Sequence, residues 1–326
     1  MKFNVTSSRI GNFFFFVTNL SEWHYSCRKN YNEEWLKVLG ALTNKEKNNL
    51  KQIKKIMTAY GFKQIKPGVL TYLGESFITS KNKKEAIIKA RAILKQRDIE
   101  IIEKSFDIFE KKFNIWWKIG SKIISTNKKI IENELTNKRT KIILNQLKSF
   151  FGSKVSLKKV TIYLLAHPCN DKLGGGANIG ESGITLEINN LTRNHSLTKY
   201  ALGVIFHEIC HLCFIDERHL KLIRQTIIKN KINLETKFFK EKMSPLTAIN
   251  EIIIESLVPK GYIGIKYLGN ILKKTEPTPI NTFSDFRQNV LQSIISLTEN
   301  YINIKKPIDK DFIDKIAKIL KSTKKR

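Results

Sequence analysis

Residues 202–214 read Leu-Gly-Val-Ile-Phe-His-Glu-Ile-Cys-His-Leu-Cys-Phe, an apolar stretch interrupted by His207, Glu208 and His211. Its apolar character predicts a helix that is buried on most of its surface. Four residues make slightly more than one helical turn, so the two imidazoles project from one face and can bind the same ion. Glu208 lies beside them, where it can act on a water molecule at that ion. The stretch therefore indicates a zinc site of the hydrolytic kind.

A hydrolytic zinc site needs three protein ligands, and we expect the third from a second helix. Ser244 and Pro245 predict the start of that helix, because they form a cap followed by proline in the first turn. The helix carries Glu251 and Glu255, four residues apart among apolar neighbours. Two buried carboxylates need a positive partner, and a divalent ion is one. We predict that Glu251 completes the coordination and that Glu255 accepts a hydrogen bond from the distal ring nitrogen of His207; a solvent-facing acidic stripe is the alternative.

With Asn250-Glu251 and Glu255 following the motif helix, residues 160–261 resemble the HExxH zinc metallopeptidases of the gluzincin, thermolysin-like type. The resemblance implies Zn²⁺ as cofactor and a peptide or protein as substrate. It further implies that Glu208 is the general base and that Glu255 supports a ligand from outside the coordination sphere. The metal ligands that it implies are His207, His211 and Glu251.

Two features of the chain depart from that family. The 39 residues between His211 and Glu251 are more than is typical, so we expect an inserted helical element. In addition, no motif identifies the Tyr or His that stabilises the oxyanion in the family. Tyr262 is the first candidate for this catalytic role, and Tyr267 and His219 are others, although each also suits a structural role.

Three successive glycines, Gly174–Gly176, lie between two predicted strands. A backbone without side chains can be approached closely by another chain. The resemblance implies that this segment is an edge strand that pairs with an extended peptide substrate. A simple turn is the equal alternative. The residues predicted for the substrate edge are Gly175, Gly176, Ala177 and Asn178.

The chain is predicted to have two parts of different character. Residues 1–152 form a helical region, with amphipathic periodicity and capping signals such as Thr43–Glu46. The β-branched segments 160–166 and 183–188 predict buried strands shortly before the motif helix. We therefore expect an α+β fold. Its zincin-like catalytic domain, residues 153–326, should contain a small mixed sheet, the active-site helices and a helical C-terminal segment.

Several other segments carry clear predictions. The run Phe13–Phe16 is too short for a membrane span or a convincing signal peptide, and predicts a buried strand or the start of a helix. Trp116 and Trp117 are expected in a core or a domain contact. The other helices that we predict cover residues 101–119, 128–134, 139–151, 283–302 and 311–320.

Composition restricts the partners and the compartment. Lys and Arg number 58 against 29 acidic residues, a net charge of +29 that attracts nucleic acid, anionic lipid or acidic protein surfaces. The charge is spread along helices and no nucleic-acid-binding signature is present, so a nucleic-acid partner is not favoured. Four unevenly spaced cysteines do not make a disulfide framework. We predict a cytoplasmic protein without a transmembrane segment.

Two alternatives to a general peptidase remain open at this stage. The chain also resembles the ImmA/IrrE group of regulatory peptidases, which pair HExxH with a downstream Glu helix and act on one partner protein. The second alternative is a non-catalytic basic protein that binds nucleic acid or serves as a scaffold. Steep salt dependence of nucleic-acid binding, without any dependence on His207 or His211, would favour the second alternative.

Overall fold

The computed structural model shows a mixed α+β protein whose chain forms two compact units. The first unit comprises Met1–Asn133 and Lys158–Thr198, and the second comprises Glu134–Leu157 and Lys199–Arg326. The structure describes residues 1–24, 26–66, 69–71, 73–152, 158–170, 174–191, 195–232, 244–270 and 283–323.

The helices of the first unit pack around an aromatic core. The run Phe13–Phe16 lies within the first helix, where Phe13 stacks on Phe113 with ring centroids 4.1 Å apart. Trp116 is 3% exposed, which confirms its predicted place in a core. The helices are α1 (Arg9–Leu20), α2 (Lys29–Leu39), α3 (Asn44–Tyr60), α4 (Leu73–Ile78), α5 (Lys83–Ala90) and most of α6 (Gln96–Thr136).

Helix α6 is continuous over 41 residues, so the predicted break between residues 119 and 128 was wrong. Gly120 lies within this helix and faces a strand: a Cβ there would be in ordinary contact with the Cβ of Ala166, at 3.4 Å. Asn127 is buried, and its side-chain oxygen accepts a hydrogen bond from the backbone N–H of Leu191 at 3.0 Å. Both residues therefore serve packing within the helix and do not end it.

A six-stranded mixed sheet belongs to the first unit. Strand β4 pairs in parallel with β1 and β6, while β5 is antiparallel to β6. Strand β3 continues the sheet in parallel with β5, and β2 is antiparallel to β3. The strands are β1 (Lys2–Thr6), β2 (Lys63–Lys66), β3 (Val69–Thr71), β4 (Lys159–Ala166), β5 (Gly176–Ile179) and β6 (Gly183–Ile188), and their order is β1-β4-β6-β5-β3-β2.

The two predicted strands, 160–166 and 183–188, are confirmed as β4 and β6. Strands β1, β2 and β3 were not predicted, and all three come from the region 1–152 that was expected to be helical. Because they pair into the same sheet as β4 and β6, the chain does not divide at 152/153 as the sequence predicted. All three segments are short, which makes them hard to recognise in the sequence. In β1 only Val5 is buried, so this strand lacks the apolar pattern that identified β4.

The predicted substrate-edge residues lie in and beside β5, which is not an edge strand. Asn178 pairs with Ile184 of β6 on one side and with Val69 of β3 on the other. The backbone N–H of Gly175 donates to the Glu187 carboxylate at 2.9 Å. The prediction of a free edge is therefore wrong for Asn178, and for Gly175, Gly176 and Ala177 it stays a prediction. The physical reason is that β3, a segment too short to recognise from the sequence, pairs with Asn178 and Ile179 at the far side of β5.

The second unit is helical. It contains the three helices predicted over residues 139–151, 283–302 and 311–320, which are confirmed. Helix α9 lies in the insertion that was predicted between His211 and Glu251. Residues 233–243 of this insertion lie outside the described residues. Helix α10 packs against α9 and α11. No helix among the described residues is long and apolar enough to cross a membrane. The elements are α7 (Lys138–Phe151), α8 (His195–Ile209, whose first residues belong to the first unit), a π-helical segment (Cys210–Phe214), α9 (Glu217–Asn230), α10 (Pro245–Glu255), a second π-helical segment (Gly264–Leu268), α11 (Phe283–Asn303) and α12 (Lys310–Thr323).

His167, directly after β4, is a buried histidine without a role in the predicted site. Its ring stacks on Tyr31 with centroids 4.5 Å apart, and the side chain is 1% exposed. Its Nδ1 has no hydrogen-bond partner among the described residues. Burial, assisted by the charge of Arg28, lowers the pKa of His167 from 6.5 to about 3.

We expect His167 to make the first unit sensitive to acid. Between pH 6.5 and 3 the unfolded chain binds a proton at this residue and the folded chain does not, so falling pH favours unfolding by up to about 4 kcal/mol. The variant His167→Phe keeps an aromatic ring at this position and removes the group that binds the proton. Chemical denaturation at several pH values should show a smaller loss of stability in the variant than in the parent. The exposed His195→Gln variant is the control, and equal acid sensitivity of parent and His167→Phe would contradict the prediction.

Candidate metal centre

The two motif histidines face each other across one turn of the same helical segment. His207 lies near the end of α8 and His211 in the π-helical segment that continues it. Their ring centroids are 4.9 Å apart, and the two Nε2 atoms are 3.2 Å apart. His207 is partly buried and His211 is 2% exposed. The predicted placement of both imidazoles on one face is confirmed.

Helix α10 brings Glu251 to both histidines. The Ser244 side chain caps this helix by accepting from the Thr247 N–H at 3.1 Å, and Pro245 occupies its first turn, as predicted. The Glu251 carboxylate is bidentate: Oε2 lies 3.3 Å from Nε2 of His207, and Oε1 lies 3.2 Å from Nε2 of His211. All of these residues belong to the second unit.

The donor atoms of these three side chains lie close together. The two Nε2 atoms are 3.2 Å apart, and each lies 3.2–3.3 Å from a different oxygen of the Glu251 carboxylate. Two imidazoles and a carboxylate are donors that suit zinc. Among the described residues, His207, His211 and Glu251 are the group whose ligand atoms all lie within 4.8 Å of one another. The three side chains could therefore hold one divalent ion.

The electrostatics of the cluster also demand a cation. Burial by itself raises the pKa of Glu251, but the charge of His211 and the hydrogen bonds from both histidines outweigh it and hold that pKa well below its ordinary value. Burial lowers the pKa of His207, yet the hydrogen bond and charge of Glu251 raise it to about 9. A buried, ionised carboxylate needs a positive partner, and the raised pKa of His207 favours a proton on that ring when no metal is bound. A divalent ion meets the same requirement.

The outer nitrogen of His207 lies close to a backbone carbonyl. The Nδ1 atom of His207 is 3.4 Å from the carbonyl oxygen of Val258. Helix α10 ends at Glu255, and the chain then turns so that the Val258 carbonyl approaches the ring. Glu255 is one helical turn beyond Glu251, and its negative charge contributes to the raised pKa of His207. The Val258 carbonyl is therefore an acceptor that the sequence did not indicate, and the hydrogen bond from His207 to Glu255 stays a prediction.

Asn250 is a site residue to which the sequence analysis gave no role. It is fully buried, and its amide nitrogen lies 3.4 Å from Nδ1 of His211, while its Oδ1 has no hydrogen-bond partner in the part of the chain that the structure describes. When Nε2 of His211 binds a metal, Nδ1 carries the proton and needs an acceptor. If the Asn250 amide group is rotated by 180°, its Oδ1 takes the position near Nδ1 of His211 and can accept that proton. The signal available in the sequence was a polar residue beside Glu251 on an otherwise apolar helix.

We expect Asn250→Leu to weaken zinc binding about 10–100-fold, because outer partners of metal-bound histidines contribute affinity of that size. The variant leaves His211 free to rotate and to adopt the wrong tautomer. Asn250→Asp keeps an acceptor oxygen and should retain most of the affinity. Competition titration against a fluorescent zinc chelator measures both. Equal zinc affinity in Asn250→Leu and the parent would exclude the proposed hydrogen bond.

Glu208, the predicted general base, is 8% exposed. Burial raises the pKa of its carboxyl, against the opposing charges of His207 and His211. A carboxylate with a raised pKa is a better proton acceptor near neutrality. Its protonation behaviour therefore suits the role that the sequence predicted.

The three candidates for oxyanion stabilisation have other contacts. The Tyr262 hydroxyl donates to Asn303 at 3.0 Å and accepts from Lys266 at 2.7 Å. The Lys266 ammonium also lies 5.7 Å from the ring centroid of Tyr267. His219 is buried with Nε2 donating to the Phe151 carbonyl at 2.9 Å and Nδ1 2.7 Å from Asp216. His219 is thus a structural residue, and the catalytic role of Tyr262 stays a prediction.

The cysteines of the motif helix do not join the metal cluster. Cys210 is fully buried, and burial raises the pKa of its thiol well above the ordinary value. Cys213 is partly buried, and neither thiol takes part in a disulfide. Cys210 is therefore a small buried side chain of the core.

Comparisons with known proteins found no matching family model, no matching curated protein and no matching solved structure. Fold and site together define a mixed α+β protein with a candidate His-His-Glu metal centre in a helical unit.

Proposed function

We propose that this chain is a zinc-dependent metallopeptidase with a zincin-like centre. The observation that carries the proposal is the convergence of two imidazoles and one carboxylate: the two Nε2 atoms are 3.2 Å apart, and each lies 3.2–3.3 Å from one oxygen of Glu251. Such a set of donors can bind one zinc ion. The buried carboxylate of Glu208 directly beside this group adds the base that hydrolysis requires.

The residues of the site have different roles in the proposed peptide hydrolysis. A bound zinc ion supplies a Lewis acid and lowers the pKa of water toward about 7. His207, His211 and Glu251 would hold the ion, and the Val258 carbonyl and Asn250 orient the two imidazoles. These contacts keep the donor atoms in place before substrate arrives.

Glu208 transfers the proton of the attacking water to the leaving amine. It accepts a proton from the attacking water as the new C–O bond forms, and delivers it to the amine nitrogen as the C–N bond breaks. Burial raises the pKa of its carboxyl, which favours the protonated form that must donate to the leaving amine. One carboxyl group can thus act as base and then as acid.

Metal analysis and a peptide-cleavage assay test the proposal together. The purified protein should contain about one zinc per chain and should cleave members of a mixed peptide library. Treatment with 1,10-phenanthroline should remove both properties, and added zinc should restore them. Undiminished cleavage by the metal-free protein would overturn the proposal, and so would a loaded protein that cleaves no peptide.

A further inference from the structure

Four lysines of α6 form a straight basic row, here called the α6 lysine row. Lys111, Lys118, Lys122 and Lys129 are spaced by seven, four and seven residues. At 3.6 residues per turn, these spacings place the four Cα atoms within an arc of about 40° on one side of the helix. With a rise of 1.5 Å per residue, the row extends over about 27 Å. Because α6 is one unbroken helix, the row is a rigid arrangement that the sequence alone did not reveal.

The charges of the row are not neutralised. All four lysines are exposed, and none has an ion-pair partner within the described ranges. By contrast, Lys112 lies near Glu46 at 3.6 Å, and Lys128 near Glu132 at 3.8 Å. The sequence contains no acidic residue from 111 to 131. The positive field along this side of the helix is therefore uninterrupted.

The opposite side of α6 holds the row in place. It carries the core residues Phe113, Trp116, Ile124 and Ile131, each at most 5% exposed. A helix fixed by packing on one face cannot turn its lysines towards carboxylates elsewhere. The row is consequently a permanent feature of the first unit.

Other polar side chains lie beside the α6 lysine row and between its members. Arg9 is exposed beside its start, donates a hydrogen bond to the side-chain oxygen of Asn114, and lies 5.3 Å from the ring centroid of Phe113. Ser125 and Thr126 are exposed between the last two lysines. Lys, Arg, Asn, Ser and Thr are the side chains that commonly bind phosphate oxygens in nucleic-acid backbones.

An anionic membrane fits this surface less well than a nucleic acid. A helix that lies in a bilayer interface inserts a broad apolar face, and the broad apolar face of α6 is already buried in the core. Only Ile115 and Ile119 are exposed large apolar residues near the row. A nucleic acid needs no insertion, since it offers closely spaced phosphates that displace counterions on binding.

We propose that the α6 lysine row binds the phosphate backbone of double-stranded nucleic acid without sequence preference. This inference is independent of the metal centre and goes beyond the proposed peptidase function. It gives the protein a second surface, by which it associates with a polyanion.

Fluorescence anisotropy with two unrelated 20-base-pair DNA duplexes tests the proposal between 50 and 200 mM KCl. We expect the same Kd for both duplexes, and a plot of log K against log salt in which four phosphate contacts contribute a slope of about −3.6. Replacing Lys111, Lys118, Lys122 and Lys129 together by Gln should weaken binding at least about thirtyfold at 50 mM KCl and remove most of that slope. Thermal melting checks that this variant is folded.

The control replaces four exposed lysines that each pair with a carboxylate, and it removes the same total charge. It should bind DNA nearly as the parent does. Equal weakening in both variants would overturn the proposal, since it would show a diffuse effect of net charge. Row-dependent binding to phosphatidylserine vesicles, with none to DNA, would overturn it as well. The control positions are Lys37, Lys89, Lys310 and Lys315.

Discussion

The Glu208→Gln variant is expected to keep its zinc and to lose peptide hydrolysis by a factor of about 10²–10⁴, the usual contribution of a positioned acid–base group. Glutamine has nearly the same shape as glutamate but cannot accept the proton of the attacking water. Because Glu208 is not among the three converging ligands, metal content should remain at the parental level. Initial rates on a cleaved peptide, together with zinc analysis of the same sample, measure both expectations.

Glu217→Gln is a matched control for this experiment, because Glu217 lies shortly after the motif and is highly exposed. It should have parental activity and parental zinc content. If Glu208→Gln hydrolysed peptide at the parental rate, Glu208 would not be the base. If it lost zinc, the loss of activity would have a different cause, and the assignment of Glu208 outside the ligand set would be wrong.

The Glu251→Ala variant is expected to bind zinc at least about a hundredfold more weakly than the parent. Outer-sphere partners of metal ligands alone contribute 10–100-fold, and a direct ligand contributes more. The variant keeps both imidazoles but loses the negative charge that raises the pKa of His207. Zinc that raises the melting temperature of the parent should therefore have little effect on this variant. Calorimetric titration and thermal melting with added zinc are the two measurements.

Glu217→Ala is the matched control, since it removes the same side chain from a highly exposed position shortly after the motif. It should bind zinc with nearly parental affinity. Comparable loss of zinc in the two variants would contradict the assignment of Glu251 as the third ligand. Parental affinity in Glu251→Ala would have the same meaning and would remove the basis of the proposed hydrolase.

Much of the local structure was predictable because its signals lie within a few residues of one another. The capping box of Thr43 and Glu46 is present as predicted, with both of its hydrogen bonds. The β-branched run of β4 formed a strand, and Val160, Ile162 and Leu164 are buried on one of its faces. The predicted break between residues 119 and 128 is absent, because Gly120 and the buried Asn127 lie within one continuous helix.

Two aspects of the candidate site depended on contacts between distant segments. The sequence placed Glu251 and Glu255 on one face of a helix, but their distances to the histidines depend on how α10 lies against the motif helix. The Val258 carbonyl at His207 and the buried amide of Asn250 at His211 follow from that same packing. A backbone carbonyl has no sequence signature, so its part in the site was not predictable.

The sequence by itself determined the helical spacing that puts His207 and His211 on one face, the start of α10 at Ser244 and Pro245, and the excess of positive charge. These are properties of dihedral preference, helical period and composition, which act within one or two turns of chain. Only the tertiary structure decided that three N-terminal strands complete the sheet and that one of them pairs with β5. It also decided that Glu251 meets the histidines across 39 intervening residues. Such pairings depend on complementary surfaces of whole elements, and no local pattern in the chain encodes them.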